Sequence, residues 1–324
     1  MDQTITAKIE EILTRAKLSP EMLNIIHDSF QVDLRKEEPY RWAHLTLMSC
    51  ECANGAAADA LPGAVAMEFF ALAADIYDDV QDQDNDELPW RKIANANAVN
   101  LATCLLTLSY EALTDIADPK LFRAVSMALN RTGTRAIDAQ FVEFLYDSNE
   151  KITLDEYFDL IKRKSGSLTT CACEIGALIS GASAQAVRQF AQLGEHWGIM
   201  CQIKNDLNDF LDFERKRDFM NNRKTLPYVY LLSVLTGESA AQFMELTRSA
   251  RREGRQFKQE GREALRKMAA EEGAGHYCKV MYEMFRQEAE KVLNDIAVPE
   301  ERKGKLRRMI GFAPADKVNE TAQA

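Results

Sequence analysis

The sequence has little of what marks several common classes of protein. Its 324 residues include only 15 Gly and 8 Pro, too few for the frequent tight turns of an all-β protein. A net charge of −10 leaves it without the basic surface that binding to nucleic acid requires. We therefore expect neither an all-β fold nor a nucleic-acid partner.

Signals for zinc, secretion and membrane insertion are also missing. The two close cysteine pairs are Cys-x-Cys, not Cys-x-x-Cys, and the four histidines are scattered along the chain. The N-terminus lacks the basic-then-apolar order of a signal peptide, and the most apolar run, residues 60–77, contains a proline and two carboxylates. We predict a soluble, cytoplasmic protein with reduced thiols.

Helix-forming residues fill the long segments, whose apolar positions repeat at the helical period. No internal repeat and no Gly/Ser linker divides the chain. We therefore predict an all-α fold with a single domain over residues 1–324, whose site is built from side chains on facing helices. The pattern predicts helices over residues 5–18, 20–30, 61–82, 93–115, 119–147, 153–180, 184–212, 226–235, 238–270 and 275–294.

Two short acidic motifs share one spacing. In the first acidic motif (residues 78–82), Asp78 and Asp82 lie one helical turn apart with Asp79 beside them, so their charges repel and require a counter-charge. The second acidic motif (residues 205–209) places an amide and two carboxylates at the same offsets. Magnesium takes oxygen ligands and shares them with substrate phosphates. Two such turns facing each other would form a site for Mg²⁺ and a diphosphate.

Other interpretations of the first acidic motif are a solvated surface run and a calcium loop. Asp82, Asp84 and Asp86 match the first three ligands of a calcium loop, but Glu87 stands in place of its Gly and Ile93 in place of its bidentate Glu. The recurrence of the spacing in the second motif favours magnesium.

Basic residues cluster in three segments, at 162–167, 216–218 and 223–227. Each segment alone is typical of a solvated surface. Lys and Arg are also the residues that neutralise a diphosphate, so beside two acidic helices they suit a phosphate site.

In this order the segments resemble the trans-polyprenyl diphosphate synthase family, over about residues 40–230. The first acidic motif matches the family's DDxxD, and residues 202–209 match its second motif, usually Gln-x-x-Asp-Asp-x-x-Asp. Residues 157–166 match the segment with its Lys-Thr or Lys-Ser step, and residues 218–227 match the loop that ends in Thr-Leu-Pro.

The resemblance implies an all-α bundle of the isoprenoid synthase type with a central cavity, usually a homodimer. Magnesium draws the diphosphate off an allylic substrate, and a nucleophile attacks the allylic cation that remains. It implies metal ligands at Asp78, Asp79, Asp82, Asn205, Asp206 and Asp209. It implies catalytic roles for Asp78, Asp79, Asp82, Asp206 and Lys164. It implies diphosphate contacts by Lys164, Gln202, Lys216, Arg223, Lys224 and Arg91.

The sequence departs from the family most where the second substrate, isopentenyl diphosphate, binds. The family's Gly-Gly-Lys-Arg segment is replaced at residues 36–41, its upstream His is Ala71, and its Arg-Arg-Gly is reduced to Arg91-Lys92. Asn205 also replaces an Asp, which removes a charge from the second motif and predicts weaker metal binding there. The loss at the acceptor positions points to an acceptor other than isopentenyl diphosphate.

The chain also resembles the family's ComQ-type branch, which prenylates a tryptophan of a quorum-sensing peptide. The shared features are Asp-Asp-x-x-Asp-x-Asp-Asn at 78–85, Trp-x-Lys at 90–92 and Asn-Asp in the second motif. We favour a peptide acceptor over chain elongation. Two alternatives remain. A class I terpene cyclase would have Ser or Thr at position 209, where this chain has Asp209, and Glu at position 213, where it has Phe213. A non-catalytic subunit of a heteromeric synthase would have no reason to keep a complete first motif.

The length of the donor depends on the floor of the cavity. Ala73 and Ala74, one turn before Asp78, are too small to close it, whereas Phe69 and Phe70 lie one turn deeper. The two Phe are either this floor or ordinary core residues. We expect a donor in the farnesyl to geranylgeranyl range.

Overall fold

The structure, a computed structural model, describes residues 1–35, 39–83, 85–148, 152–211, 223–254 and 257–311. These residues form fourteen α-helices and one short 3-10 helix, and they contain no β-strand, which confirms the all-α prediction. The helices are α1 Asp2–Ala16, α2 Pro20–Asp33, α3 Arg41–Cys52, α4 Ala57–Asp82, α5 Asn95–Leu113, α6 Pro119–Ser148, α7 Leu154–Arg163, α8 Ser165–Ile179, α9 Ala184–Leu211, α10 Leu226–Val234, α11 Gly237–Glu253, α12 Gln259–Glu271, α13 Ala274–Asp295 and α14 Glu300–Ile310, with the 3-10 helix at Pro89–Arg91.

The chain divides into two compact units. Unit 1 comprises Met1–Arg131, Thr169–Gly194 and Val292–Ala324, and unit 2 comprises Thr132–Leu168 and Glu195–Lys291. The boundaries fall inside α6, α8, α9 and α13, so several helices contribute to both units. The single-domain organisation stays a prediction.

Unit 1 is organised around α4, which packs against α3 and α5 and buries Val65, Phe69 and Ile76. By length and hydropathy alone α4 qualifies as a membrane span, but 61% of its most apolar window is buried inside the protein, as in the core helix of a soluble protein. One of its two buried carboxylates, Glu68, accepts a hydrogen bond of 2.6 Å from the backbone N–H of Ala43. Glu68 thus satisfies a donor in the first turn of α3, which the helix itself leaves unpaired.

Two contacts fix α8 and α14 on α3. A Cβ added to Gly176 of α8 would lie 2.3 Å from the carbonyl oxygen of Thr46, so only glycine permits this approach. The basic helix α14 also packs on α3, where Lys305 Nζ lies 2.7 Å from Glu51 Oε2. The apolar pattern does not predict either α3 or α14.

Two segments predicted as continuous helical patterns are split. The pattern over 153–180 breaks at Lys164 (φ −82°, ψ −83°), which separates α7 from α8 at the basic step. The pattern over 238–270 is divided into α11 and α12, and α11 ends before Gly254, whose φ of 55° favours glycine. The helix α10 begins as predicted, with Thr225 as the N-cap.

Candidate active site

The first acidic motif forms the last turn of α4. The helix ends at Asp82, and Gln83 follows in the left-handed conformation with φ 56°. The middle carboxylate, Asp79, is buried with 7% of its surface exposed, whereas Asp78 and Asp82 are partly exposed. The three acidic residues therefore differ in their surroundings.

Asp79 is held by two residues that follow the helix. Its Oδ1 accepts a hydrogen bond of 2.6 Å from Asn85 Nδ2, and its Oδ2 accepts one of 2.8 Å from Trp90 Nε1. Trp90 is itself buried, in the 3-10 helix. Asn85 and Trp90 belong to two of the segments, residues 78–85 and 90–92, that resemble the ComQ-type branch. Their contacts with Asp79 fix the segment after α4 against the end of that helix.

Arg91, the predicted diphosphate ligand, directly follows Trp90 in the 3-10 helix. Its guanidinium lies 3.5 Å from a carboxylate oxygen of Asp86 and donates to the side-chain oxygen of Asn95 at 3.3 Å. The 3-10 helix therefore carries both Trp90, which holds Asp79, and the adjacent basic residue Arg91.

The second acidic motif lies in the last two turns of α9. Here too the middle residue is buried, because Asp206 has only 3% of its surface exposed. Asn205 is exposed and Asp209 is partly exposed. The two motifs share one arrangement, in which a buried middle carboxylate is flanked by more exposed oxygen-bearing side chains one turn apart.

Asp206 accepts three hydrogen bonds from three different segments of unit 2. Its Oδ1 accepts from Gln202 Nε2 at 2.7 Å, and its Oδ2 accepts from the Tyr157 hydroxyl at 2.6 Å and the Leu226 N–H at 2.7 Å. Leu226 is the first residue of α10, where the helix dipole favours a negative charge. Burial nevertheless raises the pKa of Asp206 to about 6, and the three donors oppose that rise.

Tyr157 is the donor that the sequence did not single out. Burial, together with the nearby Asp206 carboxylate, raises the pKa of Tyr157 well above its ordinary value, so its hydroxyl stays protonated. The carbonyl end of Gln202 accepts from the Ser165 hydroxyl, so this predicted diphosphate ligand links Ser165 to Asp206.

Two of the predicted diphosphate-binding cations in unit 2 form ion pairs with α6. Lys164 Nζ lies 2.6 Å from Glu143 Oε2. Arg223 lies 2.7 Å from Asp147 Oδ2 and 3.5 Å from Glu143 Oε2. Two cations and two carboxylates therefore lie together. We call this group, Lys164, Arg223, Glu143 and Asp147, the charge cluster.

Aromatic rings support the basic residues before α10. The Arg223 guanidinium lies 4.7 Å from the centre of the Phe144 ring, and Lys224 Nζ lies 4.7 Å from the centre of the Tyr228 ring. Both cations are buried, with 7% and 5% of their surfaces exposed. Lys216, also predicted to bind diphosphate, lies outside the described residues.

Sequence reasoning overlooked Glu143 and Asp147. Like charges at i and i+4 of a helix repel, and this argument, which singles out Asp78 and Asp82, applies equally to this pair. Burial raises the pKa of Asp147 to about 7, and the Glu143 charge adds to the rise. A carboxylate pair one turn apart on a predicted helix was therefore a usable signal.

The candidate cavity-floor residues lie in the core of unit 1. The ring of Phe69 packs edge-on against Phe30 of α2, with ring centres 5.9 Å apart. Phe70 and Ala73 are buried, and Ala74 is half-buried. The contact with Phe30 gives Phe69 a role in the core, and the function of the set as a cavity floor stays a prediction.

The residues present fit a hard cation. Over the ranges that the structure describes, no three His, Cys, Asp or Glu side chains form a ready-made metal centre. Such a centre is not needed for magnesium, which is commonly held by one or two carboxylates together with substrate phosphates. The more exposed members of each motif, Asp78 and Asp82 in unit 1 and Asn205 and Asp209 in unit 2, supply the oxygen ligands that this cation prefers.

Comparison with known proteins agrees with the motif analysis. The sequence profile of the polyprenyl synthetase family matches residues 41–264. The tryptophan prenyltransferase ComQ of Bacillus subtilis subsp. natto (strain BEST195) is 27% identical over 292 residues, which cover 87% of this chain and 86% of that protein. ComQ of Bacillus spizizenii is 34% identical over 168 residues, covering 51% of this chain and 56% of the relative. The (2E,6E)-farnesyl diphosphate synthase of Mycobacterium bovis (strain ATCC BAA-935 / AF2122/97) is 26% identical over 199 residues, covering 58% and 55%.

A solved structure confirms the fold type. The crystal structure of a geranylgeranyl pyrophosphate synthase superposes with a TM-score of 0.82, at 21% identity, over 95% of this chain and 98% of that one. The predicted isoprenoid synthase fold and the predicted resemblance are thus confirmed, and the relatives support a prenyltransferase. Two of the three relatives named above are matched over only about half of their own length.

Proposed function

This chain belongs to the polyprenyl synthetase family, and on that basis we propose that it is a magnesium-dependent trans-prenyltransferase acting on an allylic prenyl diphosphate. The donor is of farnesyl to geranylgeranyl size, and the acceptor is a tryptophan of a peptide. The observation that carries the proposal is the arrangement shared by both acidic motifs. In each, a buried middle carboxylate, Asp79 or Asp206, is anchored by hydrogen bonds and flanked by more exposed oxygen-bearing side chains.

The residues of the two acidic motifs would bind magnesium, each motif within its own unit. Asp78 and Asp82, and in the other unit Asn205 and Asp209, would hold magnesium. Magnesium held there would act as a Lewis acid and stabilise the negative charge of the diphosphate leaving group. Asp79 and Asp206, fixed by their own hydrogen-bond donors, would add negative charge beside the metal. A site that excludes water then protects the allylic cation from hydrolysis.

Fixed cations complete the donor side. Lys164, Arg223 and Lys224 neutralise the diphosphate as it leaves, and their ion pairs and ring contacts restrict their motion before the substrate arrives. Charged donors that are already oriented stabilise developing charge without the cost of reorganisation.

A peptide acceptor is supported by what the acceptor half lacks. Ala71, 2% exposed on α4, occupies the position of the family's histidine and offers no group to a second diphosphate. Asn85 and Trp90, which hold Asp79, belong to the ComQ-like signature, and the match to Bacillus subtilis subsp. natto ComQ spans most of both chains.

The alternative acceptor is isopentenyl diphosphate, which would make the protein a chain-elongating polyprenyl diphosphate synthase. The match to the Mycobacterium bovis farnesyl diphosphate synthase favours it. The two acceptors give different products from the same donor, so one assay separates them.

The test is a product assay on the purified chain with Mg²⁺ and geranyl, farnesyl or geranylgeranyl diphosphate. Each donor is supplied alone, with isopentenyl diphosphate, or with a tryptophan-containing peptide, and products are identified by mass spectrometry. A prenylated peptide without a longer prenyl diphosphate is expected. A longer prenyl diphosphate would establish elongation, and an intact donor under all conditions would refute prenyl transfer altogether.

We also propose that the protein acts as a homodimer in the cytoplasm. Ile137, Phe141 and Leu145 follow one another at intervals of four residues on α6, and they are 68%, 65% and 51% exposed. Large apolar side chains aligned on one exposed helix face are typical of a protein contact. A second copy of this chain is the partner that we propose for this face.

A further inference from the structure

The charge cluster of unit 2 has an unexpected balance of charge. Lys164 and Arg223, the cations proposed to receive a diphosphate, are matched one for one by Glu143 and Asp147 of α6. The side chains of both carboxylates are only 17% exposed, and that of Arg223 is 8% exposed. Water therefore screens these pairs much less than it screens pairs on the surface.

Glu143 connects the two pairs. One of its oxygens, Oε2, lies 2.6 Å from Lys164 Nζ and 3.5 Å from the Arg223 guanidinium. Asp147 Oδ2 holds the same Arg223 nitrogen at 2.7 Å, with the Phe144 ring beneath the guanidinium. A diphosphate approaching these cations meets two negative charges that already occupy them.

We propose that Asp147, together with Glu143, acts as a built-in counter-anion that occupies Arg223 and Lys164 and competes with the diphosphate for them. The pair keeps the cations oriented in the free protein and lowers the affinity for the diphosphate product, so that it is released. This inference rests on the proposed function, because it takes the charge cluster as part of the diphosphate site. Asp147 and Glu143 are positioning residues here, since neither is required to touch the donor.

The surroundings of Asp147 agree with this role. Burial and the Glu143 charge raise the pKa of Asp147 to about 7, against the opposing effect of nearby cations. Protonation of Asp147 would remove one of the competing charges. The charged groups around it are Glu143 on α6, Lys164 after α7, Arg223 and Lys224 before α10, and Arg251 on α11.

The variant that tests this is Asp147→Asn, which keeps the size of the side chain and removes its charge. Its matched control is Asp138→Asn on the same helix, where Asp138 makes an exposed ion pair of 2.7 Å with Arg163 of α7. Binding of inorganic diphosphate with Mg²⁺ to the full chain is measured by isothermal titration calorimetry. We expect Asp147→Asn to lower Kd about tenfold by removing a close like charge, and Asp138→Asn to leave it unchanged.

The pH dependence of Kd distinguishes a charge effect of Asp147 from a purely structural one, because a structural effect would not change with pH. Neutral Asp147 resembles Asn, so the difference in Kd between wild type and Asp147→Asn should shrink as pH falls below about 7. Should Asp147→Asn fold poorly, Glu143→Gln removes the other competing charge and is expected to lower Kd in the same direction.

The outcomes are distinguishable. A wild type that does not bind diphosphate with magnesium would overturn the proposed function and this inference with it. Binding by the wild type with an unchanged or higher Kd in folded Asp147→Asn would overturn the counter-anion role alone.

Discussion

Trp90 donates its indole N–H to the Oδ2 of Asp79 over 2.8 Å, and both groups are buried. Asn85 donates to the other carboxylate oxygen of Asp79. A buried acceptor that loses its donor costs about 1–3 kcal/mol, more when the acceptor is charged. The bond therefore links the stability of the segment after α4 to the geometry of the first acidic motif.

We predict that Asp79→Ala and Trp90→Phe are energetically coupled. Each should lower the free energy of unfolding by about 1–3 kcal/mol, because each disrupts the same buried hydrogen bond. Urea unfolding of the two single variants and the double variant measures the coupling. A double variant less destabilised than the sum of the singles is expected, and strict additivity would show that the contact contributes nothing measurable.

The outer carboxylates of the first motif should behave differently from the middle one. Asp78→Ala or Asp82→Ala is expected to abolish turnover with little change in thermal stability, because these residues are partly exposed and are proposed to hold metal. The control is Asp59→Ala, which removes an exposed carboxylate from the first turn of the same helix. Normal turnover in either motif variant would refute the metal assignment.

The raised pKa of Asp206 predicts a pH dependence of stability. Its folded-state pKa of about 6 lies above the unfolded value, so between about pH 4 and 6 the folded state binds a proton that the unfolded state has released. This contribution to the free energy of unfolding therefore falls as pH rises from 4 to 6 and stays low above 6. Relative to Asp206→Asn, the wild type should gain on the order of 2–3 kcal/mol as pH falls from about 7 to 4.

Urea unfolding with a chelator at several pH values measures that difference, since groups common to both proteins cancel when their curves are subtracted. A difference that does not change with pH would mean that Asp206 titrates at its ordinary pKa in the folded protein.

The helices and the two acidic motifs could be predicted because both are local. Apolar periodicity depends on residues three or four apart, so it finds α4, α6 and α9 but not the short α3 or the charged α14. It also runs across Lys164 and Gly254, where one residue's backbone conformation ends the helix without interrupting the apolar period.

The different roles within each motif could not be predicted, because they depend on partners distant in sequence. Tyr157 lies 49 residues before Asp206 and Leu226 lies 20 residues after it, and neither relationship leaves a local signal. The carboxylates at 79 and 206 look equivalent to their neighbours in sequence. Only the folded chain distinguishes the buried middle carboxylates from their more exposed neighbours.

The apolar face of α6 gives a test of assembly. Phe141→Glu places a charge among Ile137 and Leu145, and it should convert a dimer to a monomer in sedimentation velocity because burying an unpaired charge at the contact is costly. The control is Met284→Glu on α13, which introduces the same charge at an apolar residue 54% exposed elsewhere in unit 2. A Phe141→Glu variant with the mass of the wild type would refute this face as the interface.

The replacement of Asp by Asn205 in the second motif predicts a gain of function. Asn205→Asp supplies the charge that the family usually has at this exposed position, so the variant should reach half-maximal activity at a severalfold lower Mg²⁺ concentration. Asn208→Asp is the matched control, because Asn208 is exposed on the same helix three residues later and the substitution adds the same charge. Both additions lie near the end of α9, where the helix dipole disfavours negative charge, so their effects on stability should be alike. A magnesium requirement lowered by Asn205→Asp alone would place residue 205 at the metal, whereas equal shifts in both variants would show only a general electrostatic effect.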